Sequence, residues 1–285
     1  MTSWIRTGLK KKVDDTVRPF MFQVGSGEFC EQFNQYFYTN MYAKSTGRPL
    51  VVYDQVSPVG ASFALIKETF QQVADTTFMD SMAVNVTKLN QHDSTRVIPY
   101  VNGLKREDIQ IDAASILEWS PSMISQISKL RTQYNIPDLI NVGVHINVNS
   151  TVRRVDPVAV VAGYIQAVRD LNTRLNTPEV LSVFVVAEQI ELLQEFMKGA
   201  QSNWKIYTIP PVNMTINGFS ANTFERQQQR IRLQAYNEFI CVLSCLQTSE
   251  NLITSLSSEV GKFLFMTNTT MVSFRSMDTP TFVAR

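Results

Sequence analysis

The sequence predicts an α/β protein with two lobes built on mostly parallel sheets. Three observations lead to this prediction: a strand, glycine turn, helix and strand within residues 20–54, an almost wholly apolar segment at 139–146, and a regular alternation of strands and helices after it. A strand, a crossover helix and a second strand in close succession form a right-handed βαβ unit in a parallel sheet. The length of 285 residues suits one large domain or two compact lobes.

The first βαβ unit has clear boundaries. An apolar strand at 20–24 leads into the turn Gly25-Ser26-Gly27, a helix over 28–45 ends at Gly47, and a second strand covers 50–54. Aromatic residues and methionine recur at helical spacing along 33–42, which predicts a core face. The next segments are harder to interpret: we expect an amphipathic stretch at 61–75, strands near 82–87 and 95–101, and a helix near 121–134, whereas 102–120 shows no clear preference.

The alternation after Pro137 predicts a doubly wound second lobe. Asp156 and Pro157 are placed as the cap and first residue of its first helix. The predicted strands cover 139–146, 180–187, 204–209, 251–253 and 270–274, and the predicted helices cover 157–174, 188–199, 222–247 and 257–266. We therefore divide the chain into an N-terminal arm at 1–19, a first lobe at 20–136 and a second lobe at 137–285.

Composition and charge exclude several classes of function. Lys+Arg 26 against Asp+Glu 25 gives no basic excess, so we expect no nucleic-acid partner. Two histidines and three cysteines at distant positions argue against a zinc site, and Cys30, Cys241 and Cys245 are predicted to be buried free thiols. The sequence has no apolar N-terminal signal and no transmembrane-length apolar run. We therefore expect an intracellular, soluble protein, in the cytoplasm or within a virion or other large complex.

The arm at 1–19 has its own pattern. Ser3 can cap a short helix with an apolar residue at every fourth position and three lysines on the other side. Two interpretations are open: the helix packs on its own domain, or it docks on a protein partner or an anionic surface.

Five segments of the chain stand in a characteristic order: Gly25-x-Gly27 with 32–36 and 43–50, then 142–146, 182–187, 257–262 and 278–283. Together they resemble the fucosyltransferase superfamily, which includes nodulation-type, α-1,6-, α-1,2- and protein O-fucosyltransferases. The resemblance covers about residues 20–285. It implies two Rossmann-like lobes in a GT-B-like arrangement, with a cleft for GDP-fucose between them.

The resemblance also implies a set of donor-site residues. An active enzyme of this type would bind GDP-fucose without a metal, and His145 is the one catalytic candidate, although a histidine at a buried strand end is more often a core residue. The residues implied for the nucleotide sugar are Gly25, Gly27, His145, Asn147, Arg153, Arg154, Glu188, Ser257, Ser258 and Lys262.

Several of these positions depart from the family's pattern. The two arginines expected after His145 are replaced by Asn147 and Val148, and a neutral amide cannot replace a guanidinium facing a diphosphate. Arg153 and Arg154 lie just downstream and substitute only if the loop folds back. Glu188 stands where an aspartate is expected, while Glu259 and Lys262 stand where an amide and an arginine are expected.

Because these departures all weaken diphosphate binding, the leading interpretation is a fucosyltransferase-like fold with an eroded GDP-sugar site. Such a protein would be a non-catalytic binding or structural subunit of a larger assembly, for example a virion, a capsid or an organellar complex, and would have no cofactor. The alternative is an active, divergent, GDP-fucose-dependent glycosyltransferase.

Overall fold

The computed structural model describes residues 20–23, 29–48, 50–53, 77–78, 94–116, 118–147, 156–175, 180–187, 189–210, 229–279, 281 and 283. The predicted arm at 1–19, the amphipathic stretch at 61–75 and the predicted strand near 82–87 lie outside these residues.

The N-terminal βαβ unit is confirmed. Strand β1 (Phe20–Gln23) pairs in parallel with β2 (Leu50–Tyr53), and β2 pairs in parallel with β3 (Thr77–Phe78). Helix α1 (Phe29–Ser45) connects β1 to β2. It ends at Gly47, whose φ of 66° lies in the left-handed region that glycine adopts without strain, as predicted.

Three helices follow, and the first of them corrects a prediction. Residues 95–101 were expected to form a strand, but they lie in helix α2 (Ser94–Asn102). The β-branched residues and Pro99 favour a strand locally, yet Val97 and Val101 stand four residues apart and are both buried, so tertiary packing overrides propensity. The ambiguous segment contains α3 (Arg106–Ile116), and the predicted helix at 121–134 is α4 (Pro121–Gln133).

The C-terminal part is the predicted doubly wound unit. Its elements in chain order are β4 (Val142–Ile146), α5 (Pro157–Leu175), β5 (Leu181–Ala187), α6 (Ile190–Lys198), β6 (Trp204–Tyr207), α7 (Gln229–Gln247), β7 (Asn251–Thr254), α8 (Glu259–Thr267) and β8 (Ser273–Ser276). The five strands are all parallel and stand in the order β6-β5-β4-β7-β8. The strand order therefore reverses between β4 and β7, which is the topological switch point of the sheet.

The sheet is covered on both faces, as its apolar strands require. Alternate residues of β5 show this: Val183 and Val185 pack with α5 and α6, whereas Phe184 and Val186 pack with α7 and α8. Helix α1 joins the second of these layers, where the Phe33 ring lies edge-on to the Phe263 ring with centroids 5.1 Å apart. The predicted aromatic core face of α1 is confirmed, and the three cysteines are buried and free, also as predicted.

Side-chain contacts cross the predicted lobe boundary at 136/137. The Tyr134 hydroxyl donates to the Glu238 carboxylate at 2.9 Å, and the Gln110 side-chain amide donates to the Asn268 carbonyl oxygen at 2.9 Å. Helices α3 and α4 thus pack on the helices of the second lobe, and the boundary itself stays a prediction.

Candidate functional site

The carboxyl ends of parallel strands form one edge of the sheet, and ligands of such sheets bind at this edge beside the switch point. In this chain the switch point lies between the ends of β4 and β7. His145 and Asn147 stand at the end of β4, and Thr254 and Ser255 at the end of β7. The predicted residues His145 and Asn147 therefore lie beside the switch point.

His145 is a core residue. Its side chain is fully buried, and Nδ1 lies 3.0 Å from the Thr254 hydroxyl oxygen. Nε2 has no hydrogen-bond partner among the described residues. Burial lowers the pKa of His145 from 6.5 to about 4, so the ring is neutral near pH 7 and supplies no positive charge to a phosphate.

Next to this histidine, Tyr164 links the ends of β4 and β7. Its hydroxyl lies 3.0 Å from the Ser255 hydroxyl and accepts a long hydrogen bond of 3.5 Å from the Asn147 backbone N–H. Tyr164 and Ser255 are both buried. We refer to His145, Thr254, Tyr164 and Ser255 as the neutral cluster, because hydroxyls and an uncharged imidazole fill this corner of the edge.

The two predicted serines at the start of α8 have structural partners. The Ser258 hydroxyl caps the helix by accepting from the Gly261 backbone N–H at 2.8 Å, and it donates to the Ser255 carbonyl oxygen at 3.0 Å. The Ser257 hydroxyl donates to the Asp278 carboxylate, which also accepts from the backbone N–H groups of Leu256 at 2.9 Å and Ser257 at 3.1 Å.

Asp278 therefore ties the C-terminal tail to the loop before α8. Burial raises the pKa of this carboxyl, but the hydrogen bonds from Ser257, Thr279 and Ser276 outweigh it and hold the pKa below its ordinary value. The carboxylate is ionised near neutral pH and accepts hydrogen bonds from the backbone N–H groups of the two residues that lead into α8.

Lys262, the predicted replacement for the third-motif arginine, is neutralised by its own helix. Its Nζ lies 2.5 Å from Glu259 Oε1, and its side chain is only 4% exposed. The Asn34 side-chain amide, from α1, donates to Glu259 Oε2 at 2.9 Å and to the Glu259 carbonyl oxygen at 2.9 Å. We refer to Asn34, Glu259 and Lys262 as the charged cluster.

The negative charge of Glu259 also affects the pKa of Tyr38, which lies one helical turn after Asn34. Burial raises the pKa of Tyr38 well above its ordinary value, and the Glu259 carboxylate raises it further. Tyr38 therefore stays protonated and adds no charge to the cluster.

The remaining predicted site residues, Gly25, Gly27, Arg153, Arg154 and Glu188, lie outside the described residues. Within the described part of the chain, no group of three or more histidine, cysteine, aspartate or glutamate side chains is arranged to hold a metal ion. No helix among the described residues has the length and apolar character needed to cross a membrane.

Sequence reasoning missed Tyr164, Thr254 and the role of Asn34. The sequence gives one signal for Asn34: its amide lies on the same face of α1 as Tyr38, four residues later, and that face is otherwise apolar. Thr254 and Tyr164 had none, because their roles depend on which strands become neighbours.

The chain has an α/β fold like that of fucosyltransferases, as predicted. Similar solved structures include the fucosyltransferase NodZ from Bradyrhizobium, with a TM-score of 0.53 and 12% identity over 87% of this chain and 92% of that chain. FUT1 from Arabidopsis thaliana gives a TM-score of 0.51 and 10% identity over 88% of this chain and 68% of that one.

A third similar structure is POFUT1, with a TM-score of 0.51 and 12% identity over 89% of this chain and 96% of that chain. No protein-family model and no curated protein sequence matches the chain. At these identities the structural likeness establishes the fold.

Proposed function

We propose that this chain is a fucosyltransferase-fold protein whose GDP-sugar site has eroded, and that it acts as a non-catalytic binding or structural subunit of a larger assembly, such as a virion or an organellar complex. The observation that supports this most is the state of Lys262, whose ammonium is buried and already paired with Glu259 at 2.5 Å. It is the only cation among the predicted site residues that the structure describes.

The chemistry of transfer explains why this matters. Departure of GDP from a nucleotide sugar leaves growing negative charge on a diphosphate, and a metal-free site must meet that charge with fixed cations and hydrogen-bond donors. Loss of one such donor typically costs about 3–4 kcal/mol of transition-state stabilisation. At this edge His145 is neutral and Asn147 carries no charge, so neither compensates for a paired Lys262.

Calorimetry with GDP and GDP-fucose tests the proposal. We expect no detectable heat at millimolar nucleotide, corresponding to binding weaker than about −4 kcal/mol. Asn147→Arg together with Val148→Arg should recover measurable GDP affinity, since it introduces two guanidinium groups directly after β4 in the sequence. The matched control is Asn147→Gln with Val148→Met, which lengthens both side chains without adding charge and should give no detectable heat of GDP binding.

The second candidate function is an active, divergent GDP-fucose-dependent transferase. Arg153 and Arg154 favour it, because they follow the end of β4 closely in sequence and both carry a guanidinium. Under this alternative, wild-type protein binds GDP in the micromolar range, and Arg153→Ala with Arg154→Ala abolishes binding. That result would replace the non-catalytic proposal with a working enzyme whose motif is shifted.

The proposed assembly role concerns the arm at 1–19, which we take as the candidate contact with a protein partner. Deleting it should leave the melting temperature nearly unchanged and weaken association, as measured by light scattering across a concentration series. A large fall in the monomer's melting temperature would instead place the arm in the core.

A further inference from the structure

Both carboxylate oxygens of Glu259 are engaged by donors. Oε1 faces the Lys262 ammonium at 2.5 Å, and Oε2 accepts from the Asn34 side-chain amide at 2.9 Å. The two donors come from different elements, since Lys262 belongs to α8 itself, whereas Asn34 belongs to α1 and is 225 positions away in the sequence.

The side chain of Asn34 is oriented for this carboxylate. Its Nδ2 donates to both Glu259 Oε2 and the Glu259 carbonyl oxygen, while its Oδ1 is buried without a partner among the described residues. Leaving the buried Oδ1 acceptor unsatisfied is unfavourable, yet the amide keeps the orientation in which Nδ2 makes both hydrogen bonds. Asn34 therefore acts here as a hydrogen-bond donor to the Glu259 carboxylate, which is an anion.

The ammonium of Lys262 depends on the same anion. Its side chain is 4% exposed, whereas that of Glu259 is 27% exposed, so solvent reaches the pair on the carboxylate side. A buried ammonium without a counter-charge is strongly unfavourable, and removing one member of a buried pair leaves the other uncompensated. An ammonium beside an amide N–H is also a donor set that suits a phosphate oxygen.

From these contacts we infer that Glu259 is a built-in anion: its carboxylate makes the contacts to Lys262 and Asn34 that a phosphate group would otherwise make, and it thereby excludes diphosphates from this site. The inference deepens the proposed function and rests on it, because it assigns the closure of the site to one residue. It also predicts that the donor set survives beneath the carboxylate and accepts an external anion once the carboxylate is removed.

Glu259→Ala tests the inference, with inorganic pyrophosphate as the probe. The variant should melt below wild type, and saturating pyrophosphate should raise its melting temperature by about 5 °C relative to sodium chloride of equal ionic strength. The control variant Glu259→Ala with Lys262→Met lacks the ammonium and should not respond. Wild-type protein should not respond either, because its own carboxylate fills the position.

If Glu259→Ala does not fold, Glu259→Ser decides the question, because it also vacates the position of the carboxylate and leaves only a small hydroxyl there. Pyrophosphate should then raise the melting temperature of Glu259→Ser more than matched chloride does, and more than it does for Glu259→Ser with Lys262→Met. A folded variant that ignores pyrophosphate, or a response that survives the loss of Lys262, overturns the inference.

Titrating wild-type protein with GDP in the same series separates this inference from the proposed function. Wild-type protein that binds GDP overturns both, since the site is then open with Glu259 in place. Wild-type protein that ignores GDP, together with a folded Glu259 variant that ignores pyrophosphate, overturns the inference alone and leaves the proposed function standing.

Discussion

The neutral cluster at the β4–β7 switch point and the charged cluster at the start of α8 bury polar groups in different ways. In the neutral cluster a histidine without charge pairs with the Thr254 hydroxyl, and Tyr164 pairs with Ser255. In the charged cluster two full charges meet at 2.5 Å, and an amide from α1 supports the carboxylate.

The two clusters nevertheless reach the same electrostatic result. One contains no ionised group near pH 7, and the other contains a cation and an anion that cancel. A diphosphate approaching this edge would meet no uncompensated positive charge from either cluster. Substitutions can disturb separately the charge balance of the charged cluster, the contact between the two clusters and the neutrality of the neutral cluster.

The largest effect should follow from breaking the charged cluster. Glu259→Ala leaves the buried Lys262 ammonium without its counter-charge and should lower the free energy of unfolding by about 3 kcal/mol, measured by urea denaturation. Glu195→Ala is the matched control, because Glu195 and Lys198 form the same i,i+3 pair on α6 at 3.0 Å, but with the lysine 73% exposed. The control should show no measurable loss, and equal losses in both variants would contradict the assigned burial.

A slightly smaller effect should follow from separating the clusters. Gly261 lies in the first turn of α8, where a Cβ would clash with the backbone carbonyl oxygen of Ser255 in the neutral cluster. Gly261→Ala should therefore cost about 2–3 kcal/mol, since neither backbone segment can move freely. The measurement is again urea denaturation.

Gly163→Ala is the control for this substitution, because Gly163 is also helical but a Cβ there meets only the flexible Met277 Cε, at 3.4 Å. It should be neutral or stabilise the protein by up to about 1 kcal/mol. If Gly261→Ala is tolerated as well as Gly163→Ala, the close approach of α8 to the end of β7 is wrong.

The smallest effect concerns the neutrality of His145. Because burial lowers its pKa from 6.5 to about 4, the native protein stays unprotonated there while the unfolded chain binds a proton below pH 6.5. Stability from this group is thus present above pH 6.5 and is lost as the pH falls towards 4, by roughly 1 kcal/mol between pH 7 and 5.5.

Urea denaturation of wild type and His145→Gln at a series of pH values checks this. The difference in unfolding free energy between the two proteins should shrink as the pH falls through this range. A difference that stays constant would show that the pKa of His145 is not lowered in the native protein, and a difference that grows would show that its ring is paired with an anion.

Local signals were sufficient for most elements of the fold. Asp156 was predicted as a helix cap from its place before Pro157, and its carboxylate accepts from the Val158 backbone N–H at 3.0 Å. Gly47 was predicted as a helix end and has the positive φ that this role needs. The strand predicted at 95–101 failed because the burial of Val97 and Val101 against neighbouring helices decides the structure there, and that packing is not a local property.

In the candidate site, too, a local contact could be predicted from the sequence, whereas contacts between distant segments could not. The opposite charges of Glu259 and Lys262 stand three residues apart, so their pairing is visible in the sequence. The link from Asn34 to Glu259 spans 225 positions, and the pairing of His145 with Thr254 requires β4 and β7 to be neighbours. Neither follows from composition or spacing, because both depend on the strand order of the sheet and on the placement of α1.

The packing of α1 on α8 has a consequence for biosynthesis. Asn34 and its partner Glu259 are separated by 225 positions, and Phe33 is separated from Phe263 by a similar length of chain. While the residues between them are being synthesised, the aromatic face of α1 lacks the α8 surface that packs against it, and exposed apolar segments of this kind promote aggregation. A nascent chain that stops before α8 keeps that part of the face uncovered, so we expect such truncated chains to aggregate more readily than chains that include α8.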